Sequence, residues 1–265
     1  MFNLIQADLF KLRKSMAIKI LFSMTAAGAI IMATIAYLIP LGKVETRMTG
    51  LGFMFSDINM ISILGGVIAA IIVCGDFENK TIHDAIASGS SRAAVIVSKT
   101  AVLALALTII LLPYVLVASI ALGTGAEFSM ESVATGFLHI LTTEGGSVFS
   151  SSEAWKLAAA SLVLILVYIA QLSICVPLAF VLKKPIFVVA IYYGFSILCG
   201  QLMSIKGSSP VFDRLFSLTP YGGNHVFMSL NTGTGDLIKT LPVSFIFILI
   251  VLAVTYSLFR KTEIK

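Results

Sequence analysis

Six long apolar runs constrain this chain more than any other feature. They cover residues 20–39, 58–74, 100–123, 157–182, 185–205 and 241–259, and none contains an Asp, Glu, Lys, Arg or His. A helix needs about 20 mainly apolar residues to cross the hydrocarbon of a bilayer. Only 12% of the residues are charged and 58% are hydrophobic, whereas soluble domains average roughly 25% charged. A chain this poor in charge cannot cover a water-facing surface. The sequence predicts an all-α membrane protein with six transmembrane helices, forming a single membrane domain over residues 1–265.

Orientation follows from the basic residues, which are enriched in cytoplasmic loops. With the N-terminus inside, the inner segments hold 12 Lys and Arg against five acids, and the outer segments hold 6 against eight. Four basic residues, Lys11, Arg13, Lys14 and Lys19, precede the first run. The expected topology is N-in, C-in. The first run is expected to be retained, because Tyr37-Leu38-Ile39-Pro40 offers no small-residue cleavage site. The positive charge lies beside the ends of apolar runs, where it meets lipid headgroups. That placement argues for the bilayer as partner and against nucleic acid.

Residues 1–17 have their own pattern. Phe2, Ile5, Leu9, Leu12 and Met16 recur at three- and four-residue steps. Such a helix either lies in the headgroup layer, apolar stripe down, or extends the first span into the cytoplasm; the in-plane reading is preferred. Lys183, Lys184 and Pro185 mark a tight turn between the fourth and fifth runs, with proline favourable at a first helical position. Loops 124–156 and 206–240 carry enough apolar residues, Phe212, Leu215, Phe216 and Leu218 among them, to predict short helices. These are expected to cap the outer ends of the spans, with partly re-entrant segments as the alternative.

Catalytic signatures are missing. The only Gly-Lys pair, Gly42-Lys43, is not part of a phosphate-binding loop. His83, His139 and His225 fall in three different loops, and Cys74, Cys175 and Cys199 follow no metal or disulfide spacing. Ionisable groups at membrane depth mark functional sites, and Asp57 only borders the second run. Gln171 is read as an interhelical hydrogen bond. Gly65-Gly66 with Ala69-Ala70 allows close helix packing, within the chain or between copies.

The segment from Gly75 to Lys99 joins the second and third runs on the cytoplasmic side. Ile82, Ala85 and Ile86 form one short apolar face, Gly89 is a natural helix stop, and Ser90 or Ser91 can cap the next helix. Arg92 and Lys99, seven apart, share a face from which both can reach headgroups. A short amphipathic helix so placed is suited to press against another protein.

Phe77, Glu78, Thr81, Ile82, Gly89, Ser91, Arg92, Ser98 and Lys99 fit the pattern F-E-x-G-T-I … G-x-S-R … S-K. The chain thereby resembles the ABC-2 type transporter permeases, especially the small bacterial permeases near the lantibiotic-immunity and peptide-export branches. Lys80 stands where that family usually has glycine. The resemblance implies a permease in a bacterial cytoplasmic membrane, paired with an identical or sister subunit. It implies two separate ATP-binding cassette subunits, which would hold the ATP and Mg, and no cofactor on this chain. Phe77, Glu78, Thr81, Ile82, Ala85, Ile86, Gly89 and Arg92 would then form the ATPase-coupling segment. In that reading Ile82, Ala85 and Ile86 fill a groove on the ATPase, with Glu78 and Arg92 at its rim. A scaffold or sensor subunit without transport, or an intramembrane lipid-modifying enzyme, are the other readings.

Overall fold

The computed structural model describes residues 2–45, 49–130, 134–146, 151–203, 205, 207 and 209–261. Every regular element among them is helical. Helix α1 (Phe2–Lys14) is followed by α2 (Met16–Leu38), the short α3 (Thr49–Met54) and α4 (Asp57–Ala69). A π-helical segment, Ala70–Cys74, continues α4 into α5 (Gly75–Glu78); α6 (Thr81–Ala87) and α7 (Arg92–Gly123) follow. Next come α8 (Gly136–Glu144), α9 (Ser151–Leu172), α10 (Cys175–Leu182) and α11 (Pro185–Met203). The chain closes with α12 (Pro210–Ser217), α13 (Gly223–Val226) and α14 (Thr234–Lys261).

Six helical stretches are long and apolar enough to cross a membrane: Met16–Leu38, Gly50–Glu78, Arg92–Gly123, Glu153–Leu182, Pro185–Met203 and Gly235–Arg260. They coincide with the six apolar runs and extend them into polar flanks. Burial is uneven: 50–67% of the apolar window lies inside in the second, third and fourth stretches, but 17% in the fifth and sixth. The α4, α7 and α9 helices therefore form the centre, and α11 and α14 stand at the periphery. The α2 helix packs on α7 and α4, α11 on α4, and α14 on α9 and α10. Gly65 makes a further contact possible, that of α4 with α9, since a Cβ there would sit 2.6 Å from Leu172 Cδ1. The close approach expected of Gly65-Gly66 is thus found within the chain.

Two spans are interrupted. The fourth breaks between α9 and α10, where Pro177 has no N–H to give the carbonyl of Ser173. The π segment of the second span packs against α10. At the fourth-to-fifth turn, Lys183 adopts a left-handed conformation (φ 55°) and α11 starts on Pro185 as expected.

The N-terminal helix departs from the expected stripe. Ser15 is extended (φ −66°, ψ 122°), so α1 is separate from α2 and does not simply lengthen the first span. Its inward line is Leu4, Ile5, Asp8 and Leu12, packed on α7, while Phe2 and Met16 are exposed. Asp8 turns inward, against the apolar-stripe rule, because a buried cation receives it.

At the other end of the bundle the loop helices penetrate further than a cap would. The α8 helix lies among α2, α4 and α7, with Phe137, Leu138, Ile140 and Leu141 fully buried. Gln171, about 11 residues and so roughly 16 Å of helix from the end of α10, donates from Nε2 to the Pro220 carbonyl at 2.9 Å. Tyr221 donates its hydroxyl to the Gln171 carbonyl at 2.8 Å. The Pro220–Tyr221 backbone therefore reaches well down the length of the spans. Irregular backbone at such depth is tolerated where protein surrounds it, and both residues are buried. The re-entrant alternative describes this end better than the surface cap, and Gln171 bonds to a loop carbonyl instead of another spanning helix.

Candidate functional site

At the end of the bundle that carries α1, the second span runs through α5 into α6, and α6 leads directly into α7. The turn into α6 is made by Lys80, a non-glycine residue at φ 58°. A left-handed backbone is one that glycine adopts more readily than a residue with a Cβ. Departure from α6 follows the Schellman pattern. Gly89 sits at φ +94°, its N–H bonds the Ile86 carbonyl at 3.0 Å, and the Ser90 N–H bonds the Ala85 carbonyl at 3.0 Å. Ser91 then caps α7 by accepting from the Ala94 N–H at 3.2 Å.

The apolar face of α6 is turned inward. Ile82 is 1% exposed, and Ala85 and Ile86 are half-buried against the chain's own core. A groove on another protein cannot receive Ile82 in this arrangement. The surface that α6 and the turns on either side of it present consists of Glu78, Asn79, Lys80, Asp84, Ala87, Ser88 and Gly89. Thr81 donates its hydroxyl back to the Asp76 carbonyl at 3.2 Å.

Phe77 is an internal hub. Its ring meets Phe180 edge-on at 5.4 Å and Phe259 at 6.3 Å, and those two rings are 4.8 Å apart. Lys183 Nζ lies 5.2 Å over the Phe77 ring. The ends of the second, fourth and sixth spans on the side that carries α1 thus meet in one aromatic cluster. Arg92 adds a further tie: Nη1 donates to the Phe259 carbonyl at 2.6 Å and to that of Arg260 at 2.8 Å.

Beside α6 lies a buried ionic cluster. Lys99 Nζ reaches Asp8 Oδ2 at 2.7 Å and also pairs with Asp76 Oδ2. Lys11 Nζ takes the other Asp76 oxygen at 3.0 Å. The Lys99, Asp8 and Asp76 side chains are 6–11% exposed, whereas that of Lys11 is half exposed. Lys99 therefore does not reach toward headgroups with Arg92; it is held inside. The cluster ties α1, the end of the second span and the start of the third into one joint. Cavities of about 350 Å³ and 270 Å³ flank it, the first under Leu12, Ser15 and Pro185, the second between Leu4, Thr81 and Ile82.

The sequence pattern puts Lys99 toward headgroups, Asp8 off the apolar stripe and Asp76 at a helix start, and does not pair the three. One signal was available. The residues three and four positions either side of Lys99 are Val95, Ile96, Val102 and Leu103, so its helix face is apolar on both sides. Among the described residues no three His, Cys, Asp or Glu gather to hold a metal ion. All three cysteines are buried free thiols.

No protein-family model matches the sequence, and no curated protein matches it. What the fold defines is an all-helical protein with six helices suited to crossing a membrane, and its class is that of a multi-pass membrane protein.

Proposed function

We propose that this chain is the membrane subunit of an ATP-driven exporter of the ABC-2 type, moving an amphipathic peptide, antimicrobial or lipid-like substrate. ATP is hydrolysed on a separate cytoplasmic subunit, two copies of which serve a pair of membrane subunits in a bacterial cytoplasmic membrane. The end bearing α1 and α6 faces the cytoplasm.

The observation that carries this reading is the mounting of α6. It is anchored by Ile82, closed by a Schellman turn onto α7, and continuous through Asp76 with the buried Lys99–Asp8 joint. A force on α6 would pass to the second span, the third span and α1 together. The outward face of α6 and its flanking turns, with Glu78, Lys80, Asp84 and Ser88, is polar, as suits a partner that docks and moves at each cycle. Ile82 serves as the internal anchor, and the partner reads the polar face.

The test is co-purification of the ATP-hydrolysing subunit with the Glu78→Arg/Asp84→Arg chain, alongside a substrate-protection assay. Both residues are exposed, so the variant inserts normally, loses the partner and loses protection. Retention of both would refute the docking role of α6. A scaffold or sensor would instead retain a partner that hydrolyses no ATP.

A further inference from the structure

The α8 helix is held in a way that permanent core elements are not. It is nine residues long, too short to persist on its own in water, so its helicity depends on its seat. The seat is close-fitting: Phe137 stacks on Tyr114 at 6.4 Å, and four of its apolar residues are fully buried.

Its N-terminus lacks a local cap, since Thr135 makes no side-chain capping bond. The carboxylate of Asp57, at the start of α4, serves in its place. Phe137 N–H donates to Asp57 Oδ2 at 3.1 Å, and the Tyr168 hydroxyl donates to the same oxygen. A carboxylate is well placed at the positive end of a helix dipole. Gly136 admits it: φ is +62°, and a Cβ there would overlap both Asp57 Oδ2 and the Tyr168 hydroxyl. At the far end, Leu230 N–H donates to Glu144 Oε1 at 3.0 Å. Gly145 and Gly146 follow, the latter at φ +83°.

The pairing is incomplete where the carboxylate meets the helix. Four buried side-chain polar atoms among the described residues have no hydrogen-bond partner, and two of them are Asp57 Oδ1 and Thr135 Oγ1. Each raises the free energy of the seated state relative to one in which water reaches it. Glycine hinges on both sides, a borrowed cap and an under-satisfied seat occur together at this one helix.

We infer that α8 is a displaceable plug closing this end of the bundle, and that Asp57 is the latch that holds it. The inference does not depend on an ATP-hydrolysing partner. It requires α8 to leave as a unit while the helix it packs against stays folded.

Hydrogen–deuterium exchange of the purified chain in lipid nanodiscs tests this, comparing residues 138–144 with residues 110–118 of α7. In the unaltered chain the α8 amides exchange together at one rate while those of 110–118 remain protected. Asp57→Ala accelerates α8 exchange roughly tenfold or more without changing 110–118. Asp57→Asn, which keeps an acceptor for Phe137 and Tyr168, gives a smaller acceleration and remains informative should the alanine variant not insert. Equal protection of both segments in the unaltered chain overturns the proposal. So does acceleration of both segments together, or no change in either variant.

Discussion

Removing the charge of Lys99 is the sharpest perturbation of the ionic joint. Lys99→Met keeps the length and apolar stem of the side chain but strips the cation from two carboxylates. Asp76 retains Lys11, whose side chain is 52% exposed and contributes little through a screened pair. Asp8 is left buried with no ammonium against it. Removing one member of a buried pair typically costs about 3–5 kcal/mol, and exposures of 6–11% leave no solvent discount to apply. Lys11→Met is expected to cost at most about 1 kcal/mol. The triple variant Asp8→Asn/Asp76→Asn/Lys99→Met removes all three buried charges and should recover most of the loss, because a buried network replaced whole is often near neutral. Reversible unfolding in mixed detergent micelles reads these differences directly. The reasoning is refuted if Lys99→Met falls within about 1 kcal/mol of the unaltered chain, or if the triple variant is as unstable as the single one.

Three further outcomes follow from other sites. Lys80→Gly should stabilise the turn into α6 by up to about 1 kcal/mol, since φ 58° disfavours any residue with a Cβ, while Lys80→Val should cost roughly 1–2 kcal/mol by the same unfolding measurement. Gln171→Ala leaves the buried Pro220 carbonyl without its donor and should cost about 1–3 kcal/mol, with faster exchange around residues 219–222 in the same variant. Burial holds the His139 imidazole below its ordinary value of 6.5, against an opposing pull from Glu144. A depressed value means that the folded chain prefers neutral histidine. Stability is thus full above 6.5 and declines as pH falls through the folded value, and a pH series comparing His139→Gln with the unaltered chain should show a flatter acid limb in the variant.

Much of this architecture is legible in the sequence because hydrophobicity alone sets it. Uncharged runs of 17–26 residues leave few alternatives to spanning helices, and Pro185, Gly89 and Ser91 punctuate them by local rules that need no tertiary partner. The N-terminal helix shows where such rules stop. Taking its apolar stripe at face value points Asp8 to solvent, yet Lys99, 91 residues away, supplies a counter-charge that makes an inward carboxylate favourable. The same holds for Ile82: an apolar face on a loop helix reads as a docking surface until the chain's own core is known to cover it. Asp57 borders an apolar run in sequence, but α8 folds over it, so a boundary residue becomes a buried one. Long-range electrostatic pairs and insertions from distant loops leave no periodic trace, and the candidate sites at both ends are built from them.

Arg92 separates two accounts of the end that carries α1 and α6. If it stood at the rim of a partner groove, its loss would weaken association and leave the isolated chain unchanged. In the structure it clamps the end of α14 instead: Nη1 spans the Phe259 and Arg260 carbonyls, and the guanidinium carbon lies 5.3 Å over the Phe259 ring. Carbonyls in the last turn of a helix lack intrahelical donors and carry the negative end of its dipole, so a cation there both bonds and screens them. Hydrogen bonds from charged donors are worth about 1.5–3 kcal/mol, and Arg92→Ala should destabilise the chain by roughly that amount with no partner present. Lysine keeps the charge but not the planar guanidinium that stacks on the Phe259 ring, so Arg92→Lys should recover only part of the loss. Hydrogen exchange in the last turn of α14 should rise in the alanine variant, whereas exchange in α6 stays as it was. If the isolated Arg92→Ala chain is as stable as the unaltered one, the clamp is not what fastens the sixth span to the start of the third, and the rim role regains its place.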